Sequence, residues 1–185
     1  MSEIRHFSLA ELNARLPEVH ASPANPGRLL HIIARPVKEQ RELRDRTEVT
    51  PEAGLPGDRW AASCDRVLPD GSRNPDSQIT IMNTRCLAIL TDDRERWPLA
   101  GDNFLVDFDL SETNLPAGQR LKIGSAIVEV TPLPHTGCAK FSKRFGVDAL
   151  KFVNSPEGTK LRLRGLHVQV VQAGTVAVGD HIEKI

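Results

Sequence analysis

The residues best equipped for chemistry fall in one short stretch, Thr131 to Phe145, where His135 lies three positions before Cys138, and Lys140, Lys143 and Arg144 follow it. Cationic neighbours stabilise a thiolate over a thiol, so Cys138 is the cysteine whose surroundings favour nucleophilic or metal-ligating chemistry. Unpaired cysteines are also among the most buried residue types, and these residues alone tilt slightly towards that inert role. A second stretch, Gly54-Leu55-Pro56-Gly57-Asp58-Arg59-Trp60, sets two glycines around a proline, which forces a tight turn and lets backbone amides approach a ligand. Asp58 can order that turn by accepting N–H bonds, and Arg59 can offer a planar fork to a phosphate or carboxylate. The same residues also make an ordinary Gly-Asp turn. A third stretch is basic, with Lys160, Arg162 and Arg164 running up to Gly165.

Short elements must position these groups. Ser8 and Glu11 have the form of a capping box, with Leu9, Leu12 and Leu16 on one helical face and Pro17 as the predicted end. Residues 21–27 read as a linker. Arg28 to Arg35 is a strand closed by Pro36, and its His31 reads as a structural histidine; Leu43 to Thr50 alternates like an edge strand. Gln78 to Met82 is a strand, Asn83 caps a helix predicted from Thr84 to about Arg96, and Cys86, Leu87 and Leu90 fit its buried face. Asp102 to Phe108 is extended, with Asn103 placed to bond neighbouring backbone. Leu121 to Val130 is a strand pair or a strand bent at Gly124, and Pro132 and Pro134 force the chain out of the sheet just before Cys138. Helical spacing runs from Lys140 to Phe152, interrupted by Gly146. Strands follow over Leu166 to Gln172, Thr175 to Val178 and His181-Ile182. Many short strands with Gly and Pro punctuation predict a mainly β fold, a closed or nearly closed β-barrel with a few peripheral helices. Residues 1–27 would form a helical appendage and linker, with a packing or homodimer-contact role, and residues 28–185 the barrel domain.

Composition removes several function classes. The 185 residues carry 24 Lys and Arg against 24 Asp and Glu, so no bulk charge draws the chain to nucleic acid or membrane, and any anion site must be local. No apolar run approaches the roughly 20 residues of a spanning helix, and the N-terminus lacks the apolar core of a signal peptide. Three scattered cysteines are an odd number and fit a reducing, cytoplasmic setting. The lack of tyrosine weakens any case for a base-stacking surface.

The order of motifs resembles the MOSC domain, named for the C-terminal part of molybdenum-cofactor sulfurases. The matching pieces are Gly54 to Arg59, Gln78 to Met82, Gly101-Asp102-Asn103, Gly118 to Gly124, Cys138-Ala139-Lys140, Arg164-Gly165-Leu166 and Gly174 to Asp180. Together they cover about residues 28 to 185. The resemblance implies a β-barrel-like fold and a stand-alone protein that binds molybdenum cofactor or a sulfurated small molecule. It implies that Cys138 is the catalytic sulfur carrier or molybdenum ligand. Gly57, Asp58, Arg59, His135, Lys140, Arg164 and Gly165 are the expected cofactor-binding residues, the charged ones for the pterin phosphate and the glycines for close backbone approach. Two positions depart from the family pattern: Trp60 stands where many members have His, and Ser77 where many have Arg. The pyridoxal-phosphate desulfurase domain of eukaryotic sulfurases does not fit in this length, so that cofactor is not expected. Three functions follow: reduction of N-hydroxylated compounds with electrons from partner redox proteins; a non-catalytic cofactor carrier or scaffold; and a zinc site from Cys64, His135, Cys138 and His167, which no paired Cys-x-x-Cys spacing supports.

Overall fold

The computed structural model describes residues 4–63 and 66–185. Ten strands are present among the described residues: β1 (Gly27–Ala34), β2 (Glu42–Arg44), β3 (Arg46–Val49), β4 (Ile79–Asn83), β5 (Phe104–Asp107), β6 (Arg120–Ile123), β7 (Ala126–Val130), β8 (Leu166–Gln172), β9 (Gly174–Ala177) and β10 (His181–Lys184). Seven of them close on themselves in the order β1-β10-β6-β7-β8-β4-β5, with β5 returning to β1, and β2 continues beyond β1. The β4–β5 pair is parallel and the other ring pairs are antiparallel. The fold is the expected closed barrel with peripheral helices.

Around it lie α1 (Leu9–Ala14), α2 (Leu16–His20), α3 (Arg59–Ser63), α4 (Thr84–Leu90), α5 (Ala139–Phe145), α6 (Val147–Val153) and α7 (Pro156–Lys160). Successive residues of a strand point to opposite faces, so a strand covered on both sides must be apolar throughout. The runs Ile32–Ala34 of β1, Ile81-Met82 of β4 and Phe104–Val106 of β5 meet that demand. Ile32, Ile81, Phe104 and Val106 fill the barrel, while Ile33, Met82 and Leu105 face a second core. Leu12, Leu16 and Val19 of the first two helices, Cys86, Leu87 and Leu90 of α4, and Phe141, Phe145 and Phe152 complete this outer core. The strand β6, by contrast, alternates exposed and buried residues because water covers its outer face. No helix among the described residues is long and apolar enough to cross a membrane.

Three expectations need correction. Pro17 does not end the N-terminal helix but opens α2, where its missing N–H costs no hydrogen bond. The helix predicted to reach Arg96 stops at Leu90. Thr91 is extended, and Asp93 then caps a separate 3-10 turn, Arg94–Ala100, by accepting from the Glu95 N–H. The predicted edge strand breaks at Asp45, so that β2 joins β1 and β3 joins β9. The capping box at Ser8 and Glu11 forms as expected. The helical run after Lys140 divides at Gly146, whose φ of +98° is one that glycine adopts readily.

Candidate functional site

The site grows from the end of the 3-10 turn Arg94–Ala100. The last carbonyls of a helical segment lack partners within it and form its negative end. Here four consecutive carbonyls are each taken by an arginine from a different part of the chain. Arg41 Nε donates to Pro98 O (3.1 Å), Arg144 Nη1 to Leu99 O (2.7 Å), Arg164 Nη2 to Ala100 O (3.0 Å) and Arg35 Nη1 to Gly101 O (2.8 Å). One short turn thus gathers four guanidinium groups beside Cys138.

Two buried carboxylates fix two of those arginines. Asp58 grips Arg35 through Nε (2.9 Å) and Nη2 (3.1 Å), and also accepts from the backbone N–H groups of Arg35 and Trp60 and from Asn103 Nδ2. Burial pushes the Asp58 carboxyl up, but Arg35 and the two amides outweigh it and hold it below the usual range. Asp102, fully buried, accepts from Arg164 Nη1 (2.7 Å) on one oxygen and meets His135 Nε2 (2.8 Å) with the other. Burial opposes its ionisation, yet Arg164 and His135 overcome this, and Asp102 stays well below the ordinary carboxylate range. A carboxylate can only accept, so His135 carries its proton on Nε2 and keeps a lone pair on Nδ1. Asp102 alone would raise the His135 pKa, but burial and Arg164 lower it more, to about 4. His167 lies edge-on to His135 at 4.5 Å and donates Nδ1–H to Leu133 O at 3.1 Å, which leaves its Nε2 as an acceptor. Burial and His135 push its pKa down to about 3. Both imidazoles are therefore neutral acceptors at pH 7.

Cys138 caps α5, and its side chain is exposed. Burial pushes its thiol up, but the amides of Phe141 and Lys140 and the charges of Arg164 and Lys140 outweigh that, and the net shift is downward. Cys86 is the contrast: it is buried, and desolvation pushes it up to about 12. A cavity of about 390 Å³ opens at Cys138, lined by Arg35, Arg59, Trp60, His135, Arg164 and His167 among others. A smaller one of about 190 Å³ adjoins it and shares Arg35, Arg59, His135, Cys138 and Arg164. Such a site can hold an anionic ligand with ring N–H donors against a nucleophilic sulfur.

The expected site residues divide into two groups. Arg59, His135, Cys138 and Arg164 line both cavities, and Lys140 lines the smaller. Asp58 is buried behind Arg35, and orders the turn as expected while orienting that arginine. Gly57 packs against Arg44, and Gly165 against the barrel wall. A Cβ on Gly165 would stand 2.1 Å from Ile81 O, and its φ is +99°, so packing within the protein accounts for this glycine. Arg162 turns away from the site and donates to Leu110 O and Leu115 O. The structure adds Arg35, Arg41 and Asp102 to the expected site residues: Arg35 pairs with Asp58, Arg41 takes the Pro98 carbonyl, and Asp102 joins Arg164 to His135. Among the described residues no group of His, Cys, Asp and Glu is arranged to hold a metal ion, and Cys64 lies outside the described residues.

Residues 68–183 match the MOSC domain. The chain belongs to the MOSC domain family. Solved structures with the same fold include the YuaD protein from Bacillus subtilis, at 18% identity and a TM-score of 0.65, covering 86% of this chain and 95% of that one. YiiM from Escherichia coli matches at 19% identity and a TM-score of 0.56, covering 85% of this chain and 69% of that one. A protein described only as hypothetical matches at 19% identity and a TM-score of 0.59 over 86% of this chain, which spans 66% of that protein's length. No curated protein matches the sequence. In this MOSC barrel the two departures from the family pattern meet: Trp60 Nε1 donates to Ser77 Oγ at 3.3 Å, and both residues line the larger cavity. An indole–hydroxyl pair thus forms the wall where many MOSC domains carry His and Arg.

Proposed function

We propose that this MOSC protein binds a molybdenum pterin-dithiolene cofactor at Cys138 and uses it to reduce N-hydroxylated compounds, with electrons from a partner redox protein. The observation that supports this most is an exposed cysteine with a lowered pKa at the mouth of a basic cavity. The volume of about 390 Å³ lies within the range of small-molecule sites. The residues suit the cofactor: a soft thiolate can ligate molybdenum or carry sulfur, and Arg35, Arg59, Lys140 and Arg164 can hold a phosphate. The neutral acceptors His135 and His167 suit ring N–H groups. Arg164 also has a buried Nε without a hydrogen-bond partner, so its bonding capacity is not exhausted within the protein. Bound here, the cofactor would supply two-electron redox chemistry or a transferable sulfur. Reduction would break the N–O bond, consume an electron pair and a pair of protons, and release water. A reducing compartment such as the cytoplasm would keep Cys138 as a free thiol.

The test is molybdenum and pterin analysis of protein purified from a cofactor-producing host, followed by turnover of an N-hydroxylated base with an artificial electron donor. We expect molybdenum and pterin together in the wild type and their loss in Cys138→Ser. Cofactor bound without turnover would favour a carrier or scaffold, and protein without molybdenum would contradict the proposal.

A further inference from the structure

Another cavity, of about 140 Å³, adjoins the cysteine site without belonging to it. It shares only His135, Thr136 and Arg164 with the two cavities at Cys138, and Cys138 is not in its lining. Pro132, Leu133, Pro134, Val153 and Leu166 give it an apolar wall. Asn154, also in the lining, accepts from the Gly137 N–H (2.8 Å) and donates to Gly137 O (3.1 Å), so the cavity backs the turn that presents Cys138. Its Arg164 is already engaged, by Asp102 and the Ala100 carbonyl. Its other cation, Arg162, is not. Arg162 follows α7 at a φ of +49°, a backbone conformation uncommon for a residue other than glycine. Its Nη1 donates to the carbonyls of Leu110 and Leu115; among the described residues it makes no ion pair, and its Nε and Nη2 make no hydrogen bond. Neither of those atoms is sealed in the protein, as Arg164 Nε is. The edge left free, Nε with Nη2, is the one through which Arg35 holds the Asp58 carboxylate with paired bonds. Glu112 lines the cavity too, but it is exposed and acts on Arg162 through charge alone: burial lowers the Arg162 pKa and Glu112 raises it.

We propose that this cavity is a binding site for a short-chain aliphatic monocarboxylate, held by the Nε–Nη2 edge of Arg162 with its tail against Pro132, Pro134 and Leu166. A single free fork matches one planar carboxylate, and the two carbonyls on Nη1 fix that fork before the ligand arrives. The apolar wall takes a hydrocarbon tail, and the volume, well below that of a drug-sized site, limits its length. A phosphate dianion would find one cation edge and the repulsion of Glu112. The site rests on neither molybdenum nor the cofactor proposed above.

Calorimetric titration of sodium butyrate into the purified protein at low ionic strength tests the proposal. Saturable binding is expected in the millimolar range. Arg162→Lys keeps the charge but has no edge for paired bonds, so it should weaken butyrate about tenfold. Glu112→Gln should tighten it about two- to fivefold, the scale of an exposed charge interaction removed. Arg59 lines both cavities at Cys138 but not this one, so Arg59→Gln should leave butyrate affinity unchanged. Inorganic phosphate should fail to displace butyrate at equal concentration. No saturable binding, an affinity that falls with Arg59→Gln instead of Arg162→Lys, unaltered or weaker binding in Glu112→Gln, or ready displacement by phosphate would overturn the site. Glu112 is exposed, so that variant reads the cavity even if Arg162→Lys unfolds.

Discussion

Replacing Asp58 with asparagine keeps the side chain's shape and removes the charge opposite Arg35. The five groups that face this carboxylate are all donors: three on Oδ2 (Arg35 N, Arg35 Nε and Asn103 Nδ2) and two on Oδ1 (Arg35 Nη2 and Trp60 N). Asparagine has one acceptor oxygen, so in either orientation its NH₂ group opposes at least two donors. The pair is shielded, with side-chain exposures of 13% for Arg35 and 2% for Asp58. Breaking a buried pair by removing one partner costs about 3–5 kcal/mol, because the remaining charge is left uncompensated. At about 2–4 °C per kcal/mol for a chain of this size, Tm should fall by roughly 6–20 °C. Urea and thermal denaturation of Asp58→Asn, Arg35→Met and the double variant form a cycle. The double variant should lose clearly less than the sum of the singles, since it buries no lone charge. A loss below about 1 kcal/mol for Asp58→Asn, the level of a surface ion pair, would refute this reasoning, as would strict additivity.

Two further outcomes follow from the same geometry. The folded-state pKa values of His135 and His167, about 4 and about 3, lie below the roughly 6.5 of an unfolded histidine, so the unfolded chain takes up protons first as pH falls. Their effect on stability is absent above about 6.5 and grows as pH falls, towards about 4 for His135 and about 3 for His167, at up to about 1.4 kcal/mol lost per pH unit for each histidine. Urea midpoints at pH 7, 6 and 5 should therefore fall steadily, and a flat profile would contradict neutral, buried imidazoles. Gly165→Ala places a Cβ against Ile81 O at a φ of +99°, so it should destabilise the fold by more than about 1 kcal/mol and slow alkylation of Cys138 by displacing Arg164. An unchanged urea midpoint would show that the chain relaxes there without strain.

What could be read from the sequence was local. The capping box at Ser8, the cap at Asn83 and the turn at Asp58 depend on residues a few positions apart, and all three appear. Nearby residues alone tilt Cys138 towards an inert, buried role, whereas the fold leaves it exposed and adds the Phe141 and Lys140 amides and the distant Arg164. The arginine cluster was not legible, because Arg35, Arg41, Arg144 and Arg164 meet only through carbonyls that the barrel brings close. The basic run misled in part: Arg164 enters the site while Arg162, two positions earlier, turns to the Leu115 carbonyl. The helix after Asn83 is shorter than its predicted reach to Arg96 because Thr91 is extended and Asp93 caps a separate turn. Asp102 was visible only as part of the family motif, since its partners His135 and Arg164 lie 33 and 62 positions away.

Alkylation by iodoacetamide, followed by peptide-resolved mass spectrometry across pH, measures the sulfur directly. Cys138 should react with an inflection below that of a small free thiol such as glutathione, because its pKa is lowered. Cys86 should stay unreacted in the folded protein, held near 12 by burial. A Cys138 that alkylates only where glutathione does, or as slowly as Cys86, would contradict an accessible thiolate in this basic cavity.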